Sequence, residues 1–404
     1  MKILYLTNIF SDRSGGSEYV IWLYAKYMAR RGHKIYILCY KNDTESNTRL
    51  GKVNDDIWVE ELVPEIKYSG ILTRHIMPNI KYLYKGIRKL TKLKQLDINI
   101  VHSNPYIPSL LGSLLRKGLN KPHIMTIHDI GSIMGLHFLY RWFKEGESGT
   151  SLSLYTKAIM SVAYENYMLS FAPKDAIIVP SHQTKEDVCS IIKSEKDRAK
   201  VYVLPNTIDL ETYKYYKRNC KISYNPFFLY IGRLVFYKNL HILINAFEKV
   251  VEENKDAKLI IVGRGPLKRL LTEYIYKRNL TSKIILTGQV SQWNKLKLLS
   301  QCLAIVNLSI FEGFSIVLLE SWYFEKPVIA SAVPPLTEIV SNRVDGILVN
   351  PFNVQKLSSI MLHLLENPLY ARNLGLHGMQ KVIKHYTPET ICQNLELIYN
   401  ETIK

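Results

Sequence analysis

Two glutamates, Glu312 and Glu320, stand eight residues apart in the segment EGFSIVLLE, and that spacing limits what they can do together. The apolar run Cys302–Ser309 suits a buried strand, and Pro327–Ala330 suits another. Between them Ser315 can cap a helix running to about Phe324. The unit reads as strand, loop, helix and strand, with Glu312 in the loop and Glu320 inside the helix. Eight helical residues cover about 12 Å. The two carboxylates of a glycosidase flank a single bond at only ~5–9.5 Å. The spacing therefore fits contacts to the two ends of one elongated ligand, with sugar at one end and ribose at the other. The free N–H groups of the helix start would face a pyrophosphate in the middle. A solvated loop glutamate and an ordinary helix glutamate would give the same spacing.

Other loops carry polar groups at the ends of expected strands. Strand Lys2–Leu6 leads into a segment with Gly15-Gly16, where paired glycines let the backbone approach a phosphate or sugar. The pattern lacks G-x-G-x-x-G, so a nicotinamide cofactor is not suggested. Strand His123–Ile127 ends in His128, and His102 is a weaker candidate at the end of the strand before it. Strand Phe227–Ile231 runs into GRLVFYKN, which puts Arg233 and Lys238 in one loop. Cations there can stabilise a diphosphate leaving group.

The segment SIFEGFSIVLLESWYFEKPVIAS strongly resembles the signature of retaining, nucleotide-sugar-dependent glycosyltransferases of the GT-B class, family 4. G-R-x(4)-K-N from Gly232 resembles that family's pyrophosphate loop. VGRGP at Val262–Pro266 resembles its glycine turn near the nucleotide, and TGQV at Thr287–Val290 the segment facing the base. The resemblance covers nearly the whole chain. It implies a role in donor binding for Gly15, Gly16, Arg233, Lys238, Gly263, Gln289, Val290, Gly313, Phe314, Ser315 and Glu320. It places Glu312 and His128 at the transferring sugar and Glu320 on the ribose. It also implies a nucleotide diphosphate sugar as substrate, with no metal and no other cofactor. Pro334-Pro335 stands where relatives often carry Gly-Gly beside the sugar, so sugar identity does not carry over.

Strands alternate with helical patterns in two halves, which calls for parallel, doubly wound sheets. The first half holds expected strands Lys2–Leu6, Lys34–Cys39, Ile98–His102, His123–Ile127, Ala176–Val179 and Val201–Leu204. The second holds Phe227–Ile231, Lys258–Val262, Lys283–Thr287, Leu303–Leu308, Pro327–Ala330 and Ile347–Val349. The expected fold is α/β, with two Rossmann-like domains at 1–205 and 226–387 joined by a polar linker at 206–225. Resemblance to GT-B members adds that the domains face each other across a cleft and that the last helix, 388–403, returns to the first.

At 404 residues the chain has room for two domains. The first apolar run is too short for a signal peptide, and no run of 18 uncharged apolar residues occurs, so a cytoplasmic protein is expected. Five scattered cysteines, without C-x-x-C or a Cys/His cluster, indicate neither disulfides nor structural zinc. The net charge is +18, and Ile66–Lys94 alone contributes +8 without one acid. Within it, Ile80–Lys94 reads as an amphipathic helix. Ile80, Leu83, Tyr84, Ile87 and Leu90 form one stripe, with Lys81, Lys85, Arg88, Lys89 and Lys92 on the opposite side. Such a face can lie peripherally on an anionic leaflet, or it can be an ordinary surface helix packed by its apolar stripe. A membrane contact favours a lipid-linked glycan or polysaccharide precursor as acceptor. Alternatives are an epimerase or hydrolase of the same fold, or a basic nucleic-acid-binding protein. The last is weak, since no nucleic-acid motif is present.

Overall fold

The computed structural model describes residues 1–10, 16–42, 50–54, 56–62, 71–104, 107–146, 151–219 and 227–404. These residues fold into two compact units. Met1–Ile133, Met160–Thr207 and Pro388–Lys404 form the first, and Met134–Ile159 with Ile208–Thr387 form the second.

The first unit is built on strands β1 (Lys2–Phe10), β2 (Lys34–Asn42), β3 (Leu50–Asn54), β4 (Ile57–Glu61), β5 (Ile100–Ser103), β6 (His123–Thr126), β7 (Ala176–Val179) and β8 (Val201–Val203). Their order is β3-β4-β2-β1-β5-β6-β7-β8, parallel except for β3, which runs antiparallel on β4. Ile3 to Leu6 are fully buried, as strands covered on both faces must be. The order reverses between β1 and β5, which places a crevice at their carboxyl ends. Gly16 follows β1 and Asn104 follows β5.

One face of this sheet is covered by helices Ser17–Arg30 and Pro388–Ile403, both part of the unit. A buried polar network fixes the second of them. The Tyr399 hydroxyl lies 2.5 Å from His102 Nδ1 and 3.0 Å from the Tyr5 hydroxyl, while His102 Nε2 meets Thr126 Oγ1 at 2.6 Å. His102 has no exposed surface and both ring nitrogens are occupied. It is a structural histidine, so its weaker candidacy for a site falls away.

The second unit carries β9 (Phe227–Ile231), β10 (Lys258–Val262), β11 (Ile284–Gly288), β12 (Ala304–Asn307), β13 (Val328–Ser331) and β14 (Gly346–Val349). They form one parallel sheet in the order β11-β10-β9-β12-β13-β14. The order reverses between β9 and β12, so the loops that follow these two strands border a second crevice. Close backbone approach shapes the neighbouring turn. Gly263 has φ +147°, and a Cβ there would come within 1.8 Å of the Gly232 carbonyl oxygen, so only glycine fits.

Three expectations need correction. The stretch 206–225 is not simply a linker. Leu210–Asn219 is a helix, and Tyr213 and Tyr216 are buried with Trp322 and Phe324 in the second unit's core. Residues 134–159 group with the second unit instead of the first, because Phe138 packs on Phe236 and Phe311 with ring centroids 5.0 and 5.3 Å apart. Strands β3 and β4 were not anticipated. Buried Ile57 and Val59 alternate with less buried Trp58 and Glu60, a short period-2 signal.

Burial holds His102 down to about 3 and His123 to about 4, so both are neutral in the folded chain near pH 7. The unfolded chain takes up these protons from about pH 6.5 downward. Stability is therefore full above that pH and falls as the pH drops toward 4, each withheld proton adding ~1.4 kcal/mol per pH unit to the slope. Urea titrations at pH 7.5, 6 and 5 check this. An unfolding midpoint that stays constant across that series contradicts it.

Candidate functional site

A cluster of hydrogen-bonded polar side chains in the second unit lies at the β9/β12 crevice. Lys238 sits in a 3-10 turn, Phe236–Lys238, after β9, and Glu312 lies in the loop after β12. Lys238 Nζ donates to Glu312 Oε1 at 2.6 Å, with 12% and 13% of the two side chains exposed. Burying such a pair is tolerated where further hydrogen bonds satisfy it, and they are present here. The same carboxylate oxygen accepts from Asn307 Nδ2 at 3.2 Å, and Ser309 Oγ lies 3.1 Å from it. Asn307 also donates to Ser315 Oγ at 2.8 Å, and its own carbonyl oxygen accepts from the Ser309 hydroxyl at 2.6 Å. One buried amide at the end of β12 thus fixes both Glu312 and Ser315.

Ser315 occupies the N-cap position of the helix Ile316–Tyr323 but makes no side-chain cap bond, since its hydroxyl is turned to Asn307. The helix-start N–H groups therefore receive no cap from Ser315, which leaves them available to an anion. Gly313 is buried and Phe314 half-buried between Glu312 and Ser315. Arg233 is exposed on the turn after β9. Its guanidinium donates to the Tyr237 hydroxyl and lies 5.7 Å from that ring's centroid. Lys238 Nζ lies 5.5 Å from the same centroid, so Tyr237 holds both cations.

Glu320 is 5% exposed. It accepts from Lys295 Nζ at 2.7 Å and from the hydroxyl of Tyr213. Gly263 follows β10, while Gln289 (exposed) and Val290 (half-buried) follow β11 at the same edge of the sheet. The structure thus brings Lys238, Glu312 and Ser315 into one bonded group, with Arg233 joined through Tyr237 and Glu320 on a separate pair of partners. Asn307, Ser309, Lys295, Tyr213 and Tyr237 were not foreseen. Tyr237 lies inside the G-R-x(4)-K-N motif and Asn307 lies near the end of the expected strand Leu303–Leu308, so their positions were signalled even though their bonds were not. Tyr213 and Lys295 reach Glu320 from 107 and 25 residues away, a proximity that only the tertiary fold creates.

His128 and Gly16 belong to the first unit. His128 Nε2 lies 2.8 Å from Asn104 Oδ1, a bond that requires the ring proton on Nε2. Burial pushes its pKa down to about 4, so at neutral pH the Nδ1 lone pair is an acceptor. Gly16 has φ +79° and precedes the helix Ser17–Arg30. Gly15 lies outside the described residues. No group of three His, Cys, Asp or Glu side chains suited to a metal ion occurs among the described residues.

The basic segment differs from its expected form. It is two helices, Ile71–Arg88 and Leu90–Gln95. Tyr82 and Gly86 face inward, Gly86 against Leu111. Ile80, Tyr84 and Ile87 are 51%, 58% and 43% exposed, beside exposed Lys85 and Arg88. The apolar stripe therefore packs inward only in part: Leu83 and Leu90 lie against the core, while Ile80, Tyr84 and Ile87 share the outer face with basic side chains. Arg88 stacks over the Tyr84 ring at 5.6 Å. Lys81 is half-buried, and Lys89 and Lys92 pair with Glu60 at 2.5 and 3.4 Å. No helix among the described residues is long and apolar enough to cross a membrane.

The family model for glycosyl transferases group 1 matches residues 216–381, and the model for glycosyltransferase family 4 matches residues 14–212. An uncharacterized glycosyltransferase of Methanocaldococcus jannaschii is 32% identical over 365 residues, 80% of this chain and 84% of that protein. The O-antigen chain mannosyltransferase C of Escherichia coli is 22% identical over 409 residues, 100% of this chain and 99% of the relative. Among solved structures, Anabaena HepE in complex with UDP-glucose superposes with a TM-score of 0.72. It is 18% identical and covers 99% of this chain and 100% of its own. The two matched models, the 32% relative and the paired parallel sheets together make this chain a family 4 glycosyltransferase of the GT-B class.

Proposed function

We propose that this chain transfers a hexose, with retention of configuration, from a nucleoside diphosphate to a hydroxyl of a glycan carried on a membrane lipid. The observation that carries the donor half is the bonded group of Lys238, Glu312, Asn307 and Ser309 at the β9/β12 crevice, with Arg233 on the same turn. When the bond from the sugar carbon to the phosphate oxygen breaks, negative charge gathers on the diphosphate. Arg233 and Lys238 supply the opposing charge, so the reaction proceeds without a metal. Glu312, already held by Lys238 and Asn307, accepts from a sugar hydroxyl. Neutral His128 accepts another at Nδ1. Glu320 takes the ribose hydroxyls, and the turns at Gly263 and Gln289–Val290 face the rest of the nucleoside. The UDP-glucose in the HepE complex supports a nucleotide sugar as donor.

The acceptor half rests on the outer face of Ile71–Arg88. Exposed Ile80, Tyr84 and Ile87 beside Lys85 and Arg88 match a helix lying at an anionic bilayer surface. The named activity of the E. coli relative, an O-antigen chain mannosyltransferase, is consistent with a surface glycan as acceptor.

A thermal-shift panel of UDP, GDP, ADP and dTDP, free and sugar-linked, tests the donor site. One nucleotide is expected to raise Tm in the wild type and to lose that effect in Glu320→Ala. Arg233→Ala should lower turnover about 10²–10³-fold with unchanged circular dichroism, and turnover should persist in EDTA. Full activity of Arg233→Ala would exclude the assigned role. For the acceptor half, sedimentation with vesicles should show binding to anionic but not neutral lipid. Lys85→Gln with Arg88→Gln should weaken it at least several-fold; equal binding to both vesicle types removes the electrostatic argument.

A further inference from the structure

Directly beside the basic face, the first unit contains an apolar cavity of about 310 Å³ that no assigned role uses. It lies between strands β2 and β4 of the sheet and the short helix Leu90–Gln95. Tyr36, Leu38, Trp58, Leu93 and Leu96 form its walls. The rings of Tyr36 and Trp58 stack at 5.0 Å between centroids, and both residues are only half-buried. Protein interiors are normally close-packed. An apolar cavity of this size reaching the surface falls in the range of ligand pockets.

Its mouth carries three charged groups. Lys89 and Lys92 lie 2.5 and 3.4 Å from the Glu60 carboxylate, so one positive charge remains uncompensated within the trio. Lys92 keeps 59% of its side chain exposed, and Lys85 and Arg88 are exposed on the preceding helix. An apolar interior behind a cationic rim fits a hydrocarbon chain ending in an anion, and would bind neither half of such a molecule well alone.

We propose that this cavity holds one hydrocarbon chain of a phosphate-bearing membrane lipid, with the phosphate on Lys89 and Lys92. The lysines exchange part of their contact with Glu60 for the phosphate, and Trp58 and Tyr36 line the chain. The site would anchor the enzyme by a single captured lipid, in addition to the diffuse attraction of the basic face. The inference rests on the membrane contact proposed above and is separate from the donor site.

Calorimetric titration with dodecyl phosphate below its micelle concentration tests the cavity in the absence of a bilayer. Saturable binding at one site is expected, with at least tenfold weaker binding of dodecanol and of inorganic phosphate. Lys89→Gln with Lys92→Gln should weaken dodecyl phosphate at least tenfold. Leu96→Trp, which fills the cavity from a half-buried position, should abolish binding while the thermal response to donor nucleotide persists. Lys85→Gln with Arg88→Gln should leave dodecyl phosphate affinity unchanged while reducing vesicle sedimentation, which separates failure of the cavity from failure of the membrane face. No saturable binding by the wild type, or binding by Leu96→Trp equal to wild type, overturns the proposal.

Discussion

The second unit is organised around the requirement that a carboxylate and an ammonium sit 2.6 Å apart while mostly shielded from water. Desolvating two such charges is unfavourable by several kcal/mol per ion, on the order of what their attraction returns. The pair persists because Asn307 adds a further donor to the same carboxylate oxygen and is itself held by the Ser309 hydroxyl. That donor comes from the end of β12, and the lysine from the turn after β9. Only neighbouring strands of a parallel sheet place both at one edge, and only a reversal of strand order leaves space between the helices that follow. Sheet topology and ion pair are thus mutually dependent.

The first unit solves a different problem with the same economy of partners. Tyr5, His102, Thr126 and Tyr399 are polar groups buried together, and each finds its hydrogen bond in another member. Buried polar groups of this kind specify position because any shift leaves one unpaired. Tyr399 belongs to the last helix, so the network fixes a segment nearly 400 residues from β1 in sequence. Hydrophobic burial alone would hold that helix against the sheet without choosing its register.

Much of this was legible beforehand, for identifiable reasons. Parallel strands are buried on both faces, so FFLYI and KLIIV stand out as apolar runs, and the loops after them hold the polar residues that matter. Glu312, Lys238 and Arg233 lie in such loops, but it was the resemblance of their motifs to the family's that allowed them to be named. Ser315 was placed at the start of its helix, but the sequence could not say that Asn307 would take its hydroxyl. The stretch around Tyr213 looked like a linker because lysines and tyrosines lower its mean hydropathy. Burial selects Tyr213 and Tyr216 from it by helical spacing, three residues apart on one face. On the basic helix the apolar stripe misled, because Gly86 allows the helix to approach Leu111 by its smallest residue. Tyr82 packs inward beside it and Leu83 and Leu90 lie partly against the same core, while Ile80, Tyr84 and Ile87 turn outward.

Glu320 shows what the supporting residues contribute beyond position. A lone carboxylate inside a helix would be free to choose among rotamers, and ordering it would reduce the net gain from ligand binding. Here Lys295 fixes one oxygen and offsets the charge, while Tyr213 donates to the same atom. The side chain is therefore oriented before any ligand arrives. Glu312 is treated the same way by Lys238 and Asn307, which donate to one oxygen. In both cases the ordering is supplied during folding, and Asn307, Lys295 and Tyr213 supply it without an assigned contact to substrate. Under the proposed function, differences among relatives in donor preference would then arise as readily from these supporting side chains as from the glutamates themselves.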